Sequence, residues 1–192
     1  MKSSLVLSVI MLLIFTGCKK DKTPAANGTL MLHLHTNIDT NEADYGDIFA
    51  DANGRKMSLS MAQFYLSNIS ILSANGTWAT VQGAYILKTV ENEEYMVGSV
   101  PSGSYTDIRF DVGIDNATNT TAPSTHTSSS AADSVLANTT MWFGNTTQGY
   151  IFMNVQGMVD ATGGGVANTA FSYQVGSNAL LKTVTWPVED FT

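Results

Sequence analysis

Residues Glu94 to Asp115 read "EYMVGSVPSGSYTDIRFDVGID". Two runs rich in Val, Ile, Tyr and Phe flank Pro101-Ser102-Gly103-Ser104. β-branched and aromatic residues fit a pleated backbone, and Pro and Gly this close together suit a tight turn. The stretch therefore predicts two antiparallel strands joined at residues 101–104. Working outward, the same signature recurs in "TLMLHLHTN" (29–37), "TWATV" (77–81), "AYILKTV" (84–90), "GYIFMNVQGMV" (149–159), "AFSYQVG" (170–176) and "LLKTVTW" (180–186). "MSLSMAQFYLSNISIL" (57–72) is expected to begin as a helical turn and become a strand, ending at the turn signal "SANG". Eight or so short strands with turn punctuation predict an all-β fold, an antiparallel two-sheet β-sandwich of immunoglobulin/transthyretin-like architecture. From Asn116 to Thr140 the composition shifts to Asn, Thr, Ser and Ala. A long loop is expected there, with one helical turn at "AADSVLA" (131–137).

The N-terminus sets the expected compartment. "MKSSLVLSVIMLLIFTGC" has one lysine, an apolar run from Leu5 to Phe15, and small residues before Cys18. That pattern is a lipoprotein signal peptide over residues 1–17, since the apolar core is too short to span a bilayer. Cleavage before Cys18 and acylation of its thiol would anchor the chain to a membrane. Cys18 is the only cysteine, so an intrachain disulfide is excluded. Residues 18–28 form the expected lipidated cysteine and polar tether, and 29–192 a single β-sandwich domain. Lys19-Lys20-Asp21 resembles the export tag of surface lipoproteins in the Bacteroidetes group. The expected location is the bacterial outer membrane, facing periplasm or cell surface.

Sixteen Asp and Glu stand against nine Lys and Arg. The basic residues are scattered, so no phosphate-binding stripe forms and nucleic acid is excluded as a partner. Catalysis finds little support: there is no G-x-S-x-G elbow and no cysteine left after lipidation. Glu93 and Glu94 are adjacent, so a strand would point them to opposite faces. The chain is expected not to be an enzyme. Asp39, Asn41, Asp44, Asp47 and Asp51 crowd one loop, but Ala43 occupies the fifth position of a calcium loop and Gly46 comes two places late. A solvated loop is expected there.

Two of the three histidines lie in "LHLHTN", at His33 and His35. On a strand the period of two places both imidazoles on one face, with Met31 beside them. Imidazole suits copper and zinc, and thioethers suit Cu(I). His126, in the long loop, is a candidate third ligand. The alternative is two polar residues on the wet side of a strand.

Four segments in order then resemble one family. "MSLSMAQFYLSNISIL", "VPSGSYTDIRFDVGID", "MWFGNTTQGYIFMNVQG" and "FSYQVGSNALLKTVTW" together are similar to the MbnP-like copper-binding lipoprotein family, over Leu30 to Trp186. The resemblance implies a β-sandwich envelope protein that binds copper. It also implies a di-haem cytochrome c peroxidase of the MbnH-like type as partner, which oxidises a tryptophan to kynurenine in some members. His35 matches a common histidine position, and Trp142 is the counterpart of the family's tryptophan-bearing stretch. Met141, Met153 and Met158 surround that stretch; Met141 and Trp142 are candidate completions of the metal site, and a Met in "YIFMNVQGM" is otherwise a core filler. Gln174 stands where the family often has histidine, and the chain ends at "PVEDFT" where further strands are expected. The resulting expectation is a lipid-anchored copper-binding protein serving copper acquisition or delivery. The rival is a structural, interaction or glycan-binding module that has lost the metal, with Trp78, Trp142 and Trp186 as the glycan-facing aromatics.

Overall fold

The computed structural model describes residues 26–127 and 130–191. The expected signal peptide, Cys18 and most of the tether lie outside the described residues.

Alternation sets the layers. In β1 (Asn27–His33) Leu30 is buried while Thr29, Met31 and His33 face solvent, as expected of a strand covered on one face. β1 ends at His33, so His35 lies just past the strand. A small hairpin follows, β2 (Asn37–Ile38) and β3 (Asn41–Glu42), and then β4 (Phe49–Ala50). β5 (Lys56–Ser73) is the spine of the molecule. After it come β6 (Trp78–Thr80), β7 (Ile86–Lys88), β8 (Glu94–Pro101) and β9 (Tyr105–Val112). Two short helices, α1 (Asn116–Asn119) and α2 (Ala131–Leu136), precede β10 (Met153–Val159), β11 (Thr169–Val175) and β12 (Lys182–Phe191).

The main sheet runs β11-β10-β5-β9-β12, and β4, β6 and β7 also pair with β5. These strands all pair antiparallel. The ribbon β1-β8 forms the facing layer. Between the layers sits a core of Leu30, Leu66, Ile69, Ile71, Ile108 and Phe110, among others. This is an all-β sandwich-like fold.

The segment 57–72 is strand throughout, without the expected helical turn. Residues 57–64 pair with β10, and that ladder overrides local helical preference. β5 bends at Asn68, whose φ of 51° interrupts the register with β9 between Ser67 and Ser70. Asn tolerates this left-handed conformation better than most residues. A second difference concerns the turn at 101–104. β8 pairs with β1, whereas β9 pairs with β5 and β12. The turn thus carries the chain between layers instead of closing a paired hairpin. The Tyr105 hydroxyl donates to the Pro101 carbonyl, and Ser102 N donates to Ala26 O at 2.9 Å.

The expected long loop is ordered against a second core. α2 coincides with the expected helical turn and is capped by Ser130, while Asp115 caps α1 through the Ala117 and Thr118 amides. Tyr65, Ile114, Leu136, Met141, Tyr150, Ile151 and Phe152 pack beneath. Tyr85 Oη donates to Asp115 Oδ2 at 2.6 Å and Tyr150 Oη to Leu136 O at 2.7 Å. Burial pushes both phenols up to about 12. Among the described residues, no helix is long and apolar enough to cross a membrane.

Candidate metal centre

The last inward residue of β1, Leu32, pairs with Tyr95, and His33 pairs with Glu94. One step further, Leu34 N donates to Glu93 O at 2.8 Å. This antiparallel join brings the chain before β8 alongside the chain leaving β1. Glu93 therefore meets both histidines: His33 Nε2 lies 3.1 Å from Glu93 Oε2, and His35 Nδ1 lies 2.7 Å from Glu93 Oε1. The two imidazole rings are 4.5 Å apart at 38°. One nitrogen from each histidine and one Glu93 oxygen fit within 4.8 Å of one another.

Glu93 is held in place from behind. Lys88 is almost wholly buried, and its ammonium donates to the Thr89 and Asn92 carbonyls. Burial lowers its pKa, while the Glu93 and Glu42 charges act the other way. Tyr95 Oη donates to Asn92 O at 2.6 Å and accepts from Thr89 N at 3.1 Å. These bonds fix residues 89–92 and so the approach of Glu93. The hairpin β2–β3 adds Glu42 to the group. A hydrogen bond with Glu93, and then its negative charge, hold the Glu42 carboxyl above the usual glutamate range. Glu93 is held below that range, first by its hydrogen bond from His33.

Glu93 Oε1 is a buried oxygen that makes no well-aligned hydrogen bond, although His35 Nδ1 is only 2.7 Å away. The Glu93 carboxylate, a quarter exposed, thus carries its charge between two imidazoles and Glu42. Two imidazoles and a carboxylate are a donor set that divalent copper and zinc accept. The residues present thus fit a bound metal ion.

Of the residues singled out from sequence, His33 and His35 come together. His126 does not join them: its Nδ1 lies 3.2 Å from Asp133 Oδ1, and its Nε2 lies 3.3 Å from Thr121 Oγ1. Both contacts belong to the segment that carries α1 and α2. Met141 is fully buried in the second core, and Trp142 packs edge-on against Tyr150 at 4.9 Å between centroids. Both thus belong to the second core. Gln174 lies on β11, paired with Asn154, at the opposite edge of the main sheet from β12. It is remote from β12, which carries the tryptophan beside the histidines. That tryptophan is Trp186. It lines one cavity of about 330 Å³ with Met31 and His33, and another of about 210 Å³ with His35 and Lys88. Its ring meets Phe110 edge-on at 5.7 Å. Trp78 is half-buried under Arg109, whose guanidinium carbon is 4.3 Å from its ring centre. The three tryptophans do not form one exposed platform.

Sequence reasoning missed Glu93 and Glu42. Nothing local ties a carboxylate sixty residues away to an H-x-H pair. The acidic loop holds no carboxylate cage either: Asp51 pairs with Arg55 at 2.6 Å, and residues 37–42 form the hairpin.

Comparison with known proteins gives two matches. The family model described as MbnP matches residues 27–192. Among solved structures, MbnP from Methylosinus trichosporium is similar at 15% sequence identity with a TM-score of 0.61. The alignment covers 85% of this chain and 71% of that one. At that identity the likeness shows the fold. No curated protein matches the chain.

Proposed function

This chain belongs to the MbnP family, a family linked to copper, and from that premise we propose that it binds copper at His33, His35 and Glu93. It does so as a non-enzymatic protein of the bacterial envelope, in copper acquisition or delivery. Cys18 supplies the lipid anchor, and the outer membrane is the location. The observation that carries the reading is the convergence of two imidazoles on one carboxylate, with a donor atom from each within 4.8 Å of the others.

The chain's own groups do the selecting. Imidazole nitrogens accept both copper oxidation states, and a carboxylate favours the divalent ion. Lys88 and Tyr95 hold the approach to Glu93, so the donors are preorganised and little ordering remains to be done on binding. A di-haem peroxidase of the MbnH-like type is the proposed partner. The tryptophan it would meet at this centre is Trp186, which is more than half exposed.

The test is titration of the purified protein with Cu(II), and with Cu(I) against a competing chelator. One tightly bound ion is expected, with binding lost when His33→Ala and His35→Ala are combined. No tight binding, or binding unchanged in the double variant, would sink the assignment.

A further inference from the structure

Met31 and Met96 sit directly opposite one another across the β1–β8 ribbon. Both are open to solvent, Met31 at 51% and Met96 at 66% exposure. The next pair on the same face is His33 and Glu94. Directly opposed residues in an antiparallel pair have Cβ atoms roughly 5 Å apart, and long side chains reach diagonal neighbours as well. Two flexible thioethers therefore project side by side, one step along the strand from His33. Met31 and His33 also line the same cavity.

An exposed strand face ordinarily carries polar or charged residues, as β1 does at Thr29 and His33. By contrast, Met141 is fully buried and serves packing. Met31 and Met96 bury little, so packing does not account for them. Thioether sulfur is a soft, neutral donor well matched to monovalent copper. It needs no deprotonation and carries no charge, unlike the carboxylate at the neighbouring centre.

We propose that Met31 and Met96 form a thioether site for monovalent copper at the rim of the His33–His35–Glu93 centre. In its choice of metal this rests on the copper reading above. The arrangement grades the surface from soft to hard donors along the end of the β1–β8 ribbon: two sulfurs, then two imidazoles that share a carboxylate. A monovalent ion arriving from solvent meets the sulfurs where the face is most open and the nitrogen donors next. No change of oxidation state is involved in this step.

The experiment uses Ag(I), a redox-inert monovalent probe, on the purified protein and on Met31→Leu combined with Met96→Leu. Leucine is close in volume, and both positions are exposed, so the fold is retained. Silver affinity should fall about tenfold or more in the double variant, while Cu(II) affinity is unchanged. A second readout is sulfoxide formation by dilute peroxide, resolved by peptide mass. Ag(I) should slow oxidation of Met31 and Met96 but not of Met158, which is also exposed. Zn(II) should protect none of the three. Equal silver affinity in parent and variant, or equal oxidation of all three methionines with silver present, would overturn the proposal. Those outcomes leave Cu(II) binding at the histidines standing. Failure of the copper reading shows separately, as Cu(II) binding that ignores His33→Ala with His35→Ala.

Discussion

His35 Nδ1 lies 2.7 Å from Glu93 Oε1 without an aligned hydrogen bond between them. Such a contact is favourable only when a proton or a metal ion lies between donor and acceptor in suitable geometry. The metal-centre reading turns on this pair, and Glu93→Gln tests it. The amide keeps the shape and removes the charge. Copper(II) affinity should fall by on the order of tenfold or more, read by calorimetric titration. An unchanged affinity removes Glu93 from the centre.

The same carboxylate governs its neighbour. Glu42 is held above the usual 4.5, first by its hydrogen bond with Glu93, and Glu93 is held below 4.5, first by His33. The two have opposite consequences for stability. Glu93 contributes stability above pH 4.5 that is lost as pH falls through its lower folded value. Glu42 subtracts stability at pH values above its raised one, and protonation relieves that penalty. In Glu93→Gln the Glu42 carboxyl should titrate closer to 4.5, followed by carboxyl NMR. A Glu42 titration that does not move would show that Glu93 is not its partner.

Trp186 lines cavities with both histidines, whereas Trp142 packs into the second core. Paramagnetic Cu(II) bound at the histidines should quench the fluorescence of the nearest indole. Most of the quenching should disappear in Trp186→Phe and persist in Trp142→Phe. The reverse pattern would move the metal to the other end of the molecule.

Gly157 marks a register shift where β10 crosses β5. A Cβ there would overlap the Ser58 carbonyl oxygen, and the Phe171 ring stands 3.0 Å away on the other side. Backbone on one side and an aromatic ring on the other leave no room to relax. Gly157→Ala should destabilise the fold by about 1–3 kcal/mol, measured by urea unfolding. A neutral substitution would mean that the bulge can open.

Asp160, nearly buried, closes the turn after β10. Its Oδ2 accepts from Gly165 N at 2.6 Å, and its Oδ1 accepts from Thr162 N and Gly164 N. These amides, Gly165 first, hold its carboxyl below the usual 3.8. Its contribution is complete above pH 3.8 and is lost as pH falls through the lower folded value. Asp160→Asn should lower the melting temperature at pH 7, with the gap to the parent closing in strong acid. A gap independent of pH would show that charge plays no part.

Much of the fold was legible along the chain because strands announce themselves locally. Leu30 buried between exposed Thr29 and Met31 is a pattern read without coordinates. The helical turn at 131–137 was equally local, fixed by its Ser130 cap. Residues 57–64 were misread because their strand state comes from pairing with β10, which lies far along the chain. The turn at 101–104 was read correctly as a turn, but which layers it joins depends on β1 and β5, the partners its two strands find.

The candidate site divides the same way. Sequence by itself determined that His33 and His35 share a side, because the two-residue period of extended backbone requires it. It also determined that Met31 stands with them. Only the tertiary structure decided that Glu93, sixty residues from His33, faces both imidazoles, that Met96 lies across from Met31, and that Trp186 is the neighbouring indole. It likewise sent His126 to Asp133 and Met141 into the second core. Spacing along a strand fixes direction, but contact between distant segments is fixed by which strands pair and in what register.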